Sequence, residues 1–585
     1  MARWIGACWG LLAFFLAPLP AWAAGKCQIV RYVEIPVTMA GRRPIVTAQI
    51  NGRDARFILD SGAFFSTIAK ANAQEFGLAV RPLAGARLKG IGGDTSLGVA
   101  TAKQFTIAGQ TLPHIDFAVG GSDTGYAGLL GQNILGLADA EYDLPHGAVR
   151  LMKGKECRDA GLAYWAADKP FSIVPLLSID AEQRHTIGTI KINGVNLKAV
   201  FDTGAEGSML TLSAAKRIGV TPDSPGVTAS GFAYGLGTGR ARSWRARFDT
   251  INIGGEVIPK PWIEIADQSL DGADMLIGID FFTTHRIYVD NQGHRMFLTY
   301  EGGSLFGLNP KRAVDSAGAV IDISDHAGEP TDAAGYGRRG AILASGRKFD
   351  AAIADFDKAV ALDPTGAHYF FQRAMAHLEN GQPLLGAGDL DKAIVLAPAD
   401  AAARLARASL RHQAKDPDGA AIDLAAADKA LAPSSDARLH LAALYDATDA
   451  YEPALASYDL WLRNHPEDHN RAVALNGRCW ARALLNRDLD KALADCNAAL
   501  RLRPGEAAFL DSRALVQFRR GAFDKALADY DAALAKQPRN AWSLYCRGIV
   551  TRRMGKVAQA DADAAAAVAI NAQVRARAKR YGLES

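Results

Sequence analysis

Twice in this chain an apolar strand runs into Asp-(Ser/Thr)-Gly-Ala. The first copy is Phe57-Ile58-Leu59-Asp60-Ser61-Gly62-Ala63 and the second is Ala199-Val200-Phe201-Asp202-Thr203-Gly204-Ala205. The echo holds its register outward. Ile50-Asn51-Gly52 precedes Asp60 as Ile192-Asn193-Gly194 precedes Asp202, and Gly77 and Gly219 follow their aspartates at one common distance. Later landmarks repeat with small shifts: Ile107-Ala108-Gly109 against Ile253-Gly254-Gly255, Leu130-Gly131 against Ile277-Gly278, Tyr142-Asp143 against Val289-Asp290. Chance does not keep a register. The pattern predicts two homologous β-rich lobes, each contributing one aspartate at a strand end.

These residues resemble the retropepsin-like and pepsin-like aspartic proteases, over about residues 29–300. In that family the Asp-Thr/Ser-Gly turns of two lobes meet at a pseudo-twofold axis, and each lobe carries an apolar-apolar-Gly segment downstream. Leu129-Leu130-Gly131 and Leu276-Ile277-Gly278 look like those segments. The resemblance implies that Asp60 and Asp202 are catalytic and that Ser61 and Thr203 hydrogen-bond across the lobe interface. Two carboxylates a few ångströms apart cannot both ionise cheaply, so they share a proton. One then serves as base toward a water while the other's proton polarises the scissile carbonyl. Gly62 and Gly204 let the backbone approach closely. No cofactor and no metal is implied.

In the first lobe, residues 45–50 and 55–59 read as strands around an Asn51-Gly52 hairpin turn, with a short helix over 68–76. The cluster Gly90-Ile91-Gly92-Gly93 resembles the tip of the family's flap, a hairpin that closes over substrate. In the second lobe Tyr234 with Gly235-Leu236-Gly237-Thr238-Gly239 takes the matching place. Substrate contact is therefore expected at Gly90, Ile91, Gly92, Gly93, Tyr234, Gly235 and Gly237. Neither cluster has the spacing of a phosphate-cradling loop. Ala63 and Ala205 stand where acid-acting pepsins carry a hydroxyl residue, and losing that donor raises the expected pKa of the dyad. Phe64 and Glu206 differ from the acidic residue that viral relatives use to bind substrate backbone, so subsite preferences do not carry over.

The 585 residues predict several domains, and their formal net charge of +4 gives no electrostatic reason to expect a nucleic-acid partner. Residues 1–23 read as a cleavable signal peptide: Arg3, an apolar run over 5–19, and Ala21-Trp22-Ala23 as the cleavage signal. Neither Cys8 nor Cys27 suits a lipoprotein signal. No later stretch is expected to span a membrane, so the mature protein is expected in the periplasm or secreted. Export permits disulfides among the five remaining cysteines. Cys27 and Cys157 bracket the first lobe, whose termini lie close together if it is compact, which favours pairing them over leaving buried thiols.

After Tyr300 the composition shifts. Residues 306–332 read as a linker with one short strand near 319–323, and alanine-rich helical periodicity follows. Asp350-Ala-Ala-Ile-Ala-Asp-Phe-Asp, Asp490-Lys-Ala-Leu-Ala-Asp-Cys-Asn and Asp524-Lys-Ala-Leu-Ala-Asp-Tyr-Asp are variants of one phrase. Pro364, Pro398, Pro433, Pro466, Pro504 and Pro538 recur at about 34 residues, and the units resemble tetratricopeptide repeats. Small residues (Gly340, Ala374, Ala442, Ala514, Gly548) let paired helices pack closely, and prolines stop the second helix. Cys479 and Cys496 fall on facing sides of one pair and are expected to join, leaving Cys546 odd. His465 and His469, with Glu467 and Asp468 between them, lack further ligands and read as a solvated turn.

The resulting expectation is a multidomain chain: an all-β two-lobed aspartic-protease fold followed by an all-α tetratricopeptide-repeat solenoid. The divisions are 1–23 signal peptide, 24–160 first lobe, 161–305 second lobe, 306–332 flexible linker, 333–572 about seven repeats, and 573–585 a tail. The expected function is an aspartic endopeptidase of exported bacterial type acting on peptide or protein substrates, with a protein partner on the solenoid. The alternative is a non-catalytic peptide-binding scaffold that keeps the protease fold.

Overall fold

The structure, a computed structural model, describes residues 27–583 apart from 91–92, 156, 158–160, 167–170, 178–184, 234–239, 271, 304, 309–311, 315–319 and 323–328. The expected signal peptide lies outside the described residues. In each lobe the strand that ends at the aspartate is pinned from both sides. Arg53–Leu59 pairs antiparallel with Arg43–Ile50 and parallel with Gly128–Leu130. Val195–Phe201 pairs antiparallel with Ile187–Ile192 and parallel with Met275–Ile277. Phe57, Leu59 and Phe201 are fully buried, as the unbroken apolar runs require of strands covered on both faces. Both hairpins that feed these strands turn on Asn-Gly, with positive φ at Asn51, Gly52, Asn193 and Gly194, the geometry that the strand twist demands.

The first lobe forms an eight-stranded sheet and the second a nine-stranded one, and a six-stranded sheet is shared between them. In the shared sheet Asp139–Asp143 of the first lobe lies antiparallel to His285–Asp290 of the second, with Tyr142 opposite Ile287. Glu141, wholly buried there, accepts hydrogen bonds from Arg150 of its own lobe (2.6 Å) and Arg286 of the other (2.7 Å). Cys27 is joined to Cys157 across 130 residues of chain, closing the first lobe.

After the lobes, the described residues form seven helix pairs, from Ala333–Ser345 through Val557–Ile570. The repeated Asp-x-Asp phrase has a structural reason. An arginine on the first helix of a repeat grips an aspartate 16 residues on, in its own second helix, with two bonds: Arg373 to Asp389, Arg407 to Asp423, Arg513 to Asp529, Arg547 to Asp563. The same arginine reaches back 16 residues to an acidic or amide residue on the second helix of the preceding repeat: Arg373 to Asp357, Arg407 to Asp391, Arg513 to Asn497, Arg547 to Asp531. The ladder therefore fixes both the packing within a repeat and the stacking between repeats. Cys479 is joined to Cys496 in the fifth pair, and Cys546 is a buried free thiol.

Two expectations change at this level. Residues 573–583 are no tail: Val574–Arg580 is a helix whose Val574 and Ala578, with Leu583 beyond it, are buried in the core of the last repeats. Tyr581 reaches back to hydrogen-bond Tyr451 (2.8 Å) and Asp449. The long apolar faces of helices near the chain end would otherwise stay wet, so the terminal helix caps them. Nor is the solenoid a separate body on a flexible tether. One buried apolar cluster runs through both lobes and includes Ala341, Ala352, Phe356 and Ala376 of the first repeats. The second repeat also touches the first lobe through Gln372 to Met39 O (3.1 Å), and a later stretch does so through Ser434 to Glu75 (3.0 Å). In the connecting stretch Phe306 is buried and Arg312–Val314 pairs with Val320–Asp322.

The ladder yields a stability test. Arg513→Ala strands the buried Asp529 without its cation and is expected to destabilise the repeats by about 3 kcal/mol, whereas Arg513→Ala with Asp529→Ala costs clearly less. Urea unfolding followed by tryptophan fluorescence decides; equal losses in both variants would show that the pair does not act as a unit.

Candidate active site

The two aspartate turns are locked together by hydroxyls that cross between the lobes. Ser61 N donates to Thr203 Oγ1 (2.9 Å), and that hydroxyl donates to Leu59 O (2.8 Å). In mirror image Thr203 N donates to Ser61 Oγ (3.0 Å), which donates to Phe201 O (2.8 Å). All four bonds are buried, so each hydroxyl is fully committed as donor and acceptor. The sequence singled out both residues by resemblance, and the structure brings the two together across the lobes.

Held this way, each carboxyl lies against the other turn's glycine, and the two act on each other's proton affinity. The glycines explain themselves by space. A Cβ on Gly62 would sit 2.6 Å from both Asp202 oxygens, and one on Gly204 would sit 2.5 Å from Asp60 Oδ2. The downstream glycines are as constrained: a Cβ on Gly131 would sit 2.8 Å from Ala63 O, and one on Gly278 would sit 2.9 Å from Ala205 O. Each aspartate is aimed by amides of its own turn. Ala63 N donates to Asp60 Oδ1 (2.7 Å) and Gly204 N to Asp202 Oδ1 (2.8 Å).

The pair is asymmetric. Asp60 is buried and Asp202 half-buried. Burial, the charge of Asp202 and the hydrogen bond to it push Asp60 well above the ordinary carboxylate range. Burial also raises Asp202, but its hydrogen bond with Asp60 and the amides of Gly204 and Ala205 hold it back. Of the two, Asp60 is thus pushed the further from the ordinary carboxylate range. Beneath that side lie two residues that the sequence did not assign to the site: Gln132, which donates to Ser61 O (2.7 Å), and Tyr142, a buried phenol beside Gln132 and Ser61. In the second copy Ile279 follows Gly278 and Val289 matches Tyr142. That break in an otherwise faithful duplication was the available signal.

At the rim, Arg43 donates to Glu206 Oε1 (2.8 Å) in the second lobe and to Thr124 O (3.1 Å) in the first. Arg42 adds a bond to Glu206 O (3.3 Å). The loop around residues 122–126 is thereby tied to the turn that carries Asp202, and Tyr126 packs in one apolar group with Ala63. Arg43 was not foreseen, since nothing local in its sequence marks it. Both expected hairpins are present. Val80–Gly90 pairs with Gly93–Ile107 as far as Gly90 opposite Gly93, and Thr228–Ala233 pairs with Ala241–Arg247 as far as Ala233 opposite Ala241. Of the residues expected at their tips, Ile91, Gly92, Tyr234, Gly235 and Gly237 lie outside the described residues. Among the described residues no group of three or more His, Cys, Asp or Glu is placed to hold a metal ion, and no helix is long and apolar enough to cross a membrane.

An aspartyl protease family model matches residues 46–134 and 188–281, two segments that each contain one aspartate turn and its downstream glycine. No curated protein matches the chain. Similar solved structures include the APC/C hetero-tetramer Cut9-Hcn1, at 16% identity and a TM-score of 0.30, covering 36% of this chain and 41% of that one. Another is YrrB, a TPR protein with an unusual peptide-binding site, at 20% identity and a TM-score of 0.28, covering 33% of this chain and 97% of that one. A tetratricopeptide repeat protein from Parabacteroides merdae ATCC 43184 has 18% identity and a TM-score of 0.27, covering 36% of this chain and 80% of that one. The family-model match thus falls on the front half, around the two aspartate turns, and the back half is a run of paired helices.

The raised dyad predicts a stability effect with a definite sign. A folded-state pKa above the unfolded value stabilises fully below about pH 4, and that contribution is lost as pH rises through the folded value. Asp60→Asn removes the buried proton site, so the variant is expected to melt above the parent at pH 7, by on the order of a few degrees, with the margin closing toward pH 4. Thermal unfolding at both pH values checks this; a margin that grows in acid would contradict it.

Proposed function

We propose that the protein is an aspartic endopeptidase that hydrolyses peptide bonds with a water activated between Asp60 and Asp202. The observation that carries this reading is the pair of carboxyls packed against each other's turn glycine and clamped by Ser61 and Thr203. Asp202, the more open and more acidic of the two, takes a proton from the attacking water. Asp60, which holds the shared proton, presents it to the scissile carbonyl oxygen as negative charge develops there. The clamp keeps the two groups in reach of one reacting atom, so neither has to reorganise during the step. The described strands of the two glycine-tipped hairpins suit an extended polypeptide lying between them. Retropepsin-like descent fits the duplicated lobes, and the apolar leader and two disulfides support export to an oxidising compartment, the periplasm or outside the cell. A protein partner or substrate on the solenoid fits the general use of such repeats.

Purified protein incubated with an unstructured polypeptide across pH is the test. Cleavage is expected to peak at weakly acidic to near-neutral pH, because Ala63 and Ala205 supply no hydroxyl to stabilise carboxylate charge and burial raises both groups. Asp60→Asn and Asp202→Asn are each expected to lower kcat by at least about a thousandfold, and the double variant no further. Cleavage that survives either substitution would exclude the shared-proton mechanism, and absence of cleavage in the parent at every pH would favour the non-catalytic scaffold.

A further inference from the structure

The turn between the fourth and fifth helix pairs, expected to be solvated, is instead docked against the first lobe. His465 and Asp468 are buried. Asp123 N, in the rim loop that Arg43 ties to the Asp202 turn, donates to Asp468 Oδ2 (2.9 Å), and His469 N donates to Ser122 Oγ (3.1 Å). His465 faces Asp123 Oδ2 with Nε2 (3.2 Å) and Trp461 O with Nδ1 (2.9 Å). Both ring nitrogens thus meet acceptors, which suits an imidazolium, and the Trp461 ring stacks on it at 4.5 Å. Burial opposes that charge, but the hydrogen bonds to Asp123 and Trp461 O raise His465 overall.

The neighbouring residue reaches the hairpin. Glu467 Oε2 accepts from Ser96 N (3.0 Å) and Ser96 Oγ (2.6 Å). Ser96 lies on the returning strand of the first-lobe hairpin, opposite Arg87 and a few residues from its tip. Thr95 Oγ1 in turn accepts from Gly121 N (3.0 Å), so hairpin and rim loop are already tied together. Gly120, at φ +156°, lies so close that a Cβ would be 3.4 Å from Thr95 Oγ1. One five-residue turn of the solenoid therefore holds both elements that flank the first lobe's side of the cleft.

From this we propose that the repeat domain is a latch in cis on the cleft: Glu467 positions the hairpin, and His465 with Asp468 positions the rim loop, so that the solenoid sets how readily polypeptide enters. The inference rests on the proteolytic reading of the dyad, and it changes the role of the solenoid from recruiting substrate to governing access. Glu467 is a positioning residue, since it touches the hairpin rather than the reacting atoms. Two hydrogen bonds to one carboxylate are strong enough to hold a surface hairpin, because bonds to a charged acceptor exceed neutral ones. Once released, the hairpin is a two-stranded ribbon beyond the last residues paired to Gln110–Val119, and such ribbons open readily.

The experiment uses the full chain with Glu467→Ala, Ser96→Ala, the double variant and Glu467→Gln. Glu467 is exposed, so its replacement does not threaten the fold. Hydrogen exchange of residues 93–99 is expected to quicken about tenfold in Glu467→Ala, corresponding to about 1.4 kcal/mol, with a smaller change in Glu467→Gln and no additional change in the double variant. Association of a hydroxyl-bearing transition-state peptide is expected to accelerate by a similar factor. KM for a short peptide falls while kcat stays within about twofold. Unchanged exchange or unchanged association in Glu467→Ala overturns the latch. If the proteolytic reading itself fails, no variant cleaves, and the exchange measurement still reports whether Glu467 holds the hairpin.

Discussion

Everything at the cleft depends on the crossed bonds between Ser61 and Thr203. Each hydroxyl accepts from the other turn's amide and donates to the other lobe's carbonyl, so neither turn can shift without breaking bonds in both lobes. Only that rigidity allows two carboxyls to remain in contact against their mutual repulsion. The glycines follow from it, because with the turns fixed there is no room for a Cβ at Gly62, Gly204, Gly131 or Gly278. The shared six-stranded sheet sets the same axis from below, with Tyr142 and Ile287 opposite each other and Glu141 joined to Arg286 across the lobe boundary.

A symmetric clamp supports an asymmetric pair. Gln132 and Tyr142 stand on the Asp60 side, where the second copy has apolar Ile279 and Val289, so one side of the floor is polar and the other is not. The outer surroundings are asymmetric too. The solenoid packs on the first lobe at Met39, Glu75, Ser96 and Ser122–Asp123, so the lobe that contributes the more deeply buried aspartate is also the one braced by the repeats. The arginine ladder gives that brace its stiffness. A regular bidentate pair in successive repeats transmits position along the helices, which a chain of loosely packed alanines would not.

What the sequence revealed, and what it hid, divides by the range of the interaction. The aspartate turns, their glycines and the apolar-apolar-Gly segments were legible because each is a local backbone requirement written twice at one spacing. The repeats were legible because helix packing imposes a period. The Asp-x-Asp phrase was visible, but its reason was not, since it needs the arginine of a neighbouring helix. Arg43 and Glu206 are 163 residues apart and Ser96 and Glu467 are 371 apart, so no window of sequence contains either pair. The composition of Pro466-Glu467-Asp468-His469-Asn470 correctly signals a turn; nothing in it says what the turn is packed against. The terminal helix was missed for a similar reason: Val574, Ala578 and Leu583 are too few to announce a core and become one only against the helices before them.

The central claim is that Asp60 and Asp202 form one proton-sharing unit that binds a tetrahedral, hydroxyl-bearing centre. Isothermal calorimetry with a transition-state peptide of that kind, run in two buffers of different ionisation enthalpy near neutral pH, tests it most directly. The account predicts one peptide bound per chain, little proton uptake where the free dyad already holds its proton, uptake that grows toward one proton as pH rises through the dyad's raised value, and loss of both binding and uptake in Asp60→Asn and in Asp202→Asn. Binding of the same strength in either variant, or binding of the parent with no proton uptake at any pH, would contradict it.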